Sequence, residues 1–177
     1  GIPAAPISPA YSLASQDFAK LRAVLAQLAP GALYVAERAP FARALAICPA
    51  DLPVLTSEPA DPMGVAALLA TPPSARVDRA AAAVTPDTVA KVLFTSGSTG
   101  QPKGVVNTQR MLCSNQQAIS QLWPFLADRP PVVVDWAPWN HTASGNKVFN
   151  LTLYNGGSYY IDRGKPPPAL MAPTIAN

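Results

Sequence analysis

Apolar side chains recur at helical spacing soon after the chain begins. Phe18, Leu21, Val24, Leu25 and Leu28 share one face of a helix predicted over 16–28, with Ser15 as its N-cap and Pro30-Gly31 as its stop. Short apolar runs at 32–35 and 53–56 read as strands. Helices are expected over 40–47 and over 61–69, the second opened by Asp61-Pro62. The stretch 71–87 is rich in proline and alanine without a clear period, so it reads as a surface connection with at most a loose turn. Beyond it, 88–95 is a predicted strand. A long helix is expected over 108–126, with Met111, Ile119, Leu122 and Phe125 among its apolar positions. The β-branched run 131–136 predicts a buried strand, 149–153 falls in a helix, and 158–162 is a further strand after Gly156-Gly157. The tail 164–177 is broken by prolines. Strands alternating with helices predict an α/β fold, a mostly parallel sheet flanked by helices.

The strand at 88–95 runs into Phe94-Thr95-Ser96-Gly97-Ser98-Thr99-Gly100-Gln101-Pro102-Lys103-Gly104, where four hydroxyl side chains, three glycines and a lysine occupy eleven positions. Glycines let backbone N–H groups turn toward an anion, hydroxyls add donors, and the lysine brings a mobile positive charge. This is a loop suited to phosphate oxygens. It is not a Walker A loop, because Pro102 precedes Lys103 and Gly104 follows it, and it contains no G-x-G-x-x-G.

Composition narrows the partners. Charged residues make up 13% of the 177 residues, about half the usual share of a soluble domain, against 49% apolar. Either further chain covers part of this surface, or the composition reflects an alanine and proline bias. The net charge of +3 is too small, and its residues too scattered, to argue for nucleic acid. No apolar run approaches membrane-spanning length, and the start lacks a basic leader, so neither a membrane nor secretion is expected; the cytoplasm is. Cys48 and Cys113 match no metal or redox spacing and are expected to be reduced core thiols.

A second dense segment is Asp135-Trp136-Ala137-Pro138-Trp139-Asn140-His141-Thr142. It follows a predicted strand, and open α/β sheets place ligands at the carboxyl ends of their strands. Two indoles, an amide and the only histidine suit a pocket wall for an aromatic ligand. The structural alternative is a tryptophan-rich corner in which His141 caps a helix.

The loop from Thr95 to Gly104 resembles, at every position, the phosphate-loop signature of the adenylate-forming superfamily: acyl-CoA synthetases, peptide-synthetase adenylation domains and luciferases. The fold implied is one subdomain of the acyl-CoA synthetase/luciferase-like N-terminal domain. More narrowly, Ser8 to Leu13, the Trp139-Asn140-His141-Thr142 loop, and Leu153 to Gly157 with Tyr160-Ile161-Asp162 and Gly164-Lys165-Pro166 resemble feruloyl-CoA synthetases. Ala143-Ser144-Gly145 stands where that subfamily often has Phe-Gly-Gly, which widens the expected acid to an aromatic or aryl-propenoic one.

The resemblance implies ATP, Mg²⁺ and coenzyme A as reactants, and formation of an acyl-adenylate followed by a thioester. It places Thr95, Ser96, Gly97, Ser98, Thr99, Gly100 and Lys103 around the pyrophosphate, and Trp139, Asn140, His141 and Thr142 at the acid. Lys103 and His141 take the catalytic roles. No residue is assigned as a metal ligand, because Mg²⁺ is shared by the phosphates. The family's adenine loop, ribose-binding Asp, hinge and terminal catalytic Lys find no match in residues 1–177, and Lys165 is no substitute. The chain is therefore expected to be an internal part of the large N-terminal domain, inactive without the remainder of its own chain. Rival readings are a phosphotransferase resting on Asp135 or Asp162, a non-catalytic nucleotide- or partner-binding module, and an adenylation domain serving a carrier protein.

Overall fold

The structure is a computed structural model that describes residues 1–96 and 100–162, with the backbone alone at Ser96. Gly97, Ser98 and Thr99 of the phosphate loop, and the tail 164–177 with Lys165, lie outside the described residues. The described chain divides into two compact bodies. One holds 7–83 and 95–104; the other holds 1–6, 84–94 and 105–162.

The first of these bodies opens with a short helix, α1 (Ala10–Leu13), absent from the sequence reading, followed by α2 (Ala19–Leu28). The predicted N-cap at Ser15 sits too early. Ser15 Oγ accepts the Phe18 amide at 2.9 Å, and Asp17 Oδ1 accepts the Ala19 amide at 3.0 Å, so the entry spans an extra turn. Phe18 itself is left-handed at φ 56, a conformation that costs roughly 1–2 kcal/mol without glycine. Its ring is buried beside Leu21 and Ala44, and burial of a phenylalanine contributes about 1.5–3 kcal/mol, enough to offset the strain.

Strand β1 (Leu33–Val35), helix α3 (Arg38–Leu45) and strand β2 (Val54–Thr56) follow. The two strands pair in parallel, Leu33 opposite Val54 and Val35 opposite Thr56. The helix predicted from 61 shrinks to α4 (Val65–Leu69), because Asp61 is held in a turn. Asp61 Oδ1 accepts the Met63 amide at 2.8 Å, and Oδ2 accepts Thr56 Oγ1 at 2.8 Å and Arg38 at 3.0 Å. The stretch 71–87 is also corrected: it contains α5 (Ala75–Ala82), where alanine propensity suffices for a helix with no buried residue.

Strand β3 (Val89–Ser96) pairs with β4 (Pro102–Thr108); the end of β3 and the start of β4 are grouped with the first body and the rest of both strands with the other. The strand β4 was not expected, since the phosphate loop was read as running straight to a helix. Helix α6 (Gln109–Leu122) starts where predicted, with Thr108 Oγ1 accepting the Met111 amide at 3.3 Å. It stops short of 126 because Pro124 removes a donor and opens a 3-10 turn, Pro124–Ala127.

Strand β5 (Val132–Asp135) pairs in parallel with β6 (Ser158–Ile161), Val133 opposite Tyr159 and Asp135 opposite Ile161. It is not the fully buried strand expected, since Val132 is 72% exposed. Between them a π-helical stretch, Ala143–Val148, leads into α7 (Phe149–Tyr154). Ile119, Leu126 and Leu151 form the core of this body. Of the cysteines, Cys48 is partly buried with its thiol pushed up by burial, whereas Cys113 is exposed and not the core thiol expected.

Candidate functional site

The segment between β3 and β4 is too short for a parallel crossover, so the paired strands form a hairpin. Pro102 opens β4, the position in a strand where a missing N–H costs least. It is buried, and its carbonyl accepts Gln27 Nε2 of α2 at 2.9 Å. Across the hairpin, Thr95 Oγ1 reaches the Lys103 carbonyl at 3.5 Å. Gly100 adopts φ +77, which an L side chain would resist, so the returning arm needs glycine there. Lys103 is exposed and, among the described residues, forms no ion pair. The paired strands thus carry the Thr95 hydroxyl, bonded to the Lys103 carbonyl, and an exposed Lys103 ammonium that forms no ion pair among the described residues.

The tryptophan and histidine segment belongs to the other body. Strand β5 ends at Asp135, whose Oδ1 accepts the Ala137 amide at 2.9 Å and starts the turn. The His141 amide donates to the Pro138 carbonyl at 3.0 Å, and the His141 carbonyl accepts the Gly145 amide at 2.9 Å. Gly145 is required: a Cβ there would overlap the Trp139 carbonyl oxygen. Its own carbonyl accepts Lys91 Nζ from β3 at 2.7 Å, and burial holds the Lys91 amine below the usual lysine range. His141 is exposed, with Nδ1 accepting the Ala143 amide at 3.4 Å, so the neutral ring carries its proton on Nε2. The helix-capping alternative thus holds for Nδ1, while Nε2 stays available.

Asp135 Oδ2 accepts from both Ser144 Oγ and the Tyr159 hydroxyl. Burial pushes the Asp135 carboxyl up, but the bonds from Ser144, Tyr159 and the Ala137 and Trp136 amides outweigh it and hold it below the usual carboxylate range. Burial, and then the Asp135 carboxylate, push the Tyr159 hydroxyl up. The Tyr159 oxygen in turn accepts Trp139 Nε1 at 3.2 Å. The Trp139 ring packs on Phe149 at 5.0 Å and on Tyr159 at 6.1 Å between centroids. Asp135, Ser144, Phe149 and Tyr159 were not among the expected site residues. Only the β5–β6 register could have grouped them, since Tyr159 lies opposite Val133 and so shares a face with Asp135.

Beside this segment is a cavity of about 270 Å³, lined by Asn107, Met111, Leu112, Asn115, Thr142, Ala143, Asn146 and Lys147. Asn146 Nδ2 donates to Asn107 Oδ1 at 2.9 Å and to Thr142 Oγ1 at 3.2 Å. Its Oδ1 is buried without a hydrogen-bond partner, which makes it an acceptor in want of a donor. Of the four expected acid-site residues, Thr142 lines this cavity.

A hairpin carrying Lys103 and an aromatic turn after a parallel strand can be compared with known proteins. The family described as AMP-binding enzyme matches residues 1–177. This chain belongs to that family. Among curated relatives, the AMP-binding chain is 36% identical over 84 residues to a 3-[(3aS,4S,7aS)-7a-methyl-1,5-dioxo-octahydro-1H-inden-4-yl]propanoyl:CoA ligase of Rhodococcus jostii, covering 48% of this chain and 16% of that ligase. It is 45% identical over 56 residues to a medium-chain-fatty-acid–[acyl-carrier-protein] ligase of Teredinibacter turnerae, covering 32% of this chain and 8% of the relative. The AMP-binding chain thus spans less than a fifth of either relative. Its fold is that of ATP-bound MatB from Rhodopseudomonas palustris, at TM-score 0.59 and 24% identity over 89% of this chain and 30% of that one. McyG A-PCP complexed with phenylalanyl-adenylate gives TM-score 0.62 at 19% identity, over 96% of this chain and 25% of that one. The expected α/β class, with parallel strands and helices as in the N-terminal domain of adenylate-forming enzymes, is therefore correct. Among the described residues, no helix is long and apolar enough to cross a membrane.

Proposed function

We propose that the whole protein is an ATP-dependent acid–CoA ligase acting on an aromatic, ferulate-like carboxylate, and that this chain is an internal part of its large N-terminal domain. The carboxylate attacks the α-phosphorus of ATP and expels pyrophosphate, leaving an acyl-adenylate. The thiol of coenzyme A then attacks the acyl carbon and expels AMP. Charge builds on the departing pyrophosphate in the first step, and donors preorganised around it lower the barrier. Thr95, Ser96, Gly97, Ser98, Thr99, Gly100 and Lys103 are assigned to that cradle. Mg²⁺, held by the phosphates, would neutralise part of the same charge.

The observation that carries this reading is the exposed Lys103 on the stem of the hairpin, which forms no ion pair among the described residues, with Thr95 across from it. Trp139, Asn140, His141 and Thr142 are assigned to the acid. Support comes from Thr142, which lines a cavity together with Asn107, Asn115 and Asn146. His141, with Nε2 exposed, is assigned to the carboxylate end.

The test is pyrophosphate release by the full-length protein with ATP, Mg²⁺ and ferulate, followed by thioester formation on adding coenzyme A. Adenylate formed without any thioester would reassign the protein to a carrier-protein adenylation domain. Release of γ-phosphate instead of pyrophosphate would exclude acyl-adenylation. The 177-residue chain alone should release no pyrophosphate, and turnover by it at the rate of the whole enzyme would overturn the assignment as an incomplete part.

A further inference from the structure

The end of β5 carries Asp135, a partly buried carboxylate bonded to Ser144 and Tyr159. Desolvating a carboxylate is costly, so the donors around Asp135 need a physical account. Three are direct: the Ala137 amide at 2.9 Å on Oδ1, and Ser144 Oγ and the Tyr159 hydroxyl on Oδ2. A carboxylate accepts only, so the single protons of Ser144 and Tyr159 both point at Asp135. Neither hydroxyl then has a proton left for the other, and their 3.4 Å approach is a contact between two oxygens that share an acceptor.

This fixes the rotor of Tyr159. With its proton committed to Asp135, the Tyr159 oxygen turns a lone pair outward and accepts the Trp139 indole N–H at 3.2 Å. The order of donation runs one way, from Trp139 to Tyr159 to Asp135. The same indole is tied down at two further points. Its ring is tilted by 52° on Phe149, and its carbonyl abuts the Gly145 backbone with no room for a Cβ. Yet 42% of Trp139 remains exposed. A large aromatic surface held at its tip, its flank and its backbone, but left open, is preorganised for a flat partner.

We propose that Asp135 and Tyr159 are positioning residues that lock the indole of Trp139 as a stacking platform for a planar aryl acid. The proposal rests on the reading of residues 139–142 as the acid site and deepens it. It places aromatic specificity on a relay of hydrogen bonds anchored in the β5–β6 register.

The test uses the full-length enzyme with Tyr159→Phe, Trp139→Phe and their double variant, probed with cinnamate and with hexanoate. Tyr159→Phe keeps the ring and deletes the relay. It should move the Trp139 indole N–H resonance, identified by its loss in Trp139→Phe. It should also raise KM for cinnamate about tenfold, the size of one lost hydrogen bond, with kcat, KM for ATP and KM for hexanoate within about twofold. The double variant should be no worse on cinnamate than Trp139→Phe, because both changes cut one relay. Asp135→Asn, which keeps the shape and removes the charge, should shift the same resonance and the same KM in the same direction. An unmoved resonance, equal KM increases for both acids, or additive single penalties overturns the positioning role. A wild-type enzyme that activates hexanoate and not cinnamate overturns the aromatic reading and the stacking role together, whereas activity on cinnamate with no effect of Tyr159→Phe overturns positioning alone.

Discussion

The hairpin that carries Lys103 and the tryptophan turn are built by opposite routes. Thr95, Gly100 and Lys103 are neighbours in sequence, and two paired strands with one long tie, Gln27 to the Pro102 carbonyl, hold them. Trp139 is oriented by residues far along the chain: Phe149, Tyr159 and, through Tyr159, Asp135. A loop that binds an anion through amides, hydroxyls and a flexible lysine tolerates modest displacement, since the charge does most of the binding. A stacking surface does not, because dispersion falls steeply with a fraction of an ångström.

That contrast is most exposed to failure at Lys103. In the full-length enzyme Lys103→Ala should slow adenylation by about 10²–10³-fold, the typical loss of one preorganised donor to developing charge. Single-turnover pyrophosphate release measures it, with acid binding unchanged; equal rates would remove Lys103 from the cradle. On the other side, Gly145→Ala should destabilise the protein by about 1–3 kcal/mol, the range for forcing an atom into packed backbone. Urea unfolding reads this directly, and a wild-type midpoint would mean that the Trp139 carbonyl yields freely. Tyr159→Phe comes next, at about tenfold in the aryl acid's KM.

A smaller effect tests the carboxylate. Asp135 has a folded-state pKa below its ordinary 3.8, so it binds fewer protons folded than unfolded in the interval between those values. Its stabilisation is fully present above pH 3.8 and is lost as pH falls through the depressed value. Unfolding midpoints of wild type and Asp135→Asn should therefore differ by a constant amount above pH 3.8 and converge below it. Parallel curves throughout would deny that the relay ends on an ionised group. Least of all should come from the exposed Arg110–Asp87 pair, which anchors neither site. Arg110→Ala should leave the unfolding temperature unchanged, as solvent and salt screen such pairs.

Much of the fold was legible because local pattern carries it. The parallel pairs β1–β2 and β5–β6 fall within one or two residues of the runs at 32–35, 53–56, 131–136 and 158–162. Thr108 announces α6 by its hydroxyl, and Pro124 ends that helix for want of an N–H. Other elements were hidden. Helix α5 sits between prolines, is short and buries no residue, so the proline-rich flanks masked it. Strand β4 begins on Pro102 and contains Gly104, both of which argue locally against a strand, and pairing with β3 overrides them. The start of α2 was displaced because Phe18 accepts a left-handed backbone in exchange for burial, a trade invisible before the core exists.

What the sequence determined by itself is what contiguous residues can state: a loop of glycines, hydroxyls and a lysine, the family it belongs to, and an aromatic turn after a strand. Tertiary structure alone decided which oxygen each proton serves around Asp135, that Trp139 is held at its edge by Tyr159, and that Asn146 Oδ1 is buried without a hydrogen-bond partner. The physical reason is range. Propensity and local hydrogen bonds act over a few residues and leave a readable pattern. The direction of a buried proton depends on a strand register 24 residues away, and no local spacing encodes that.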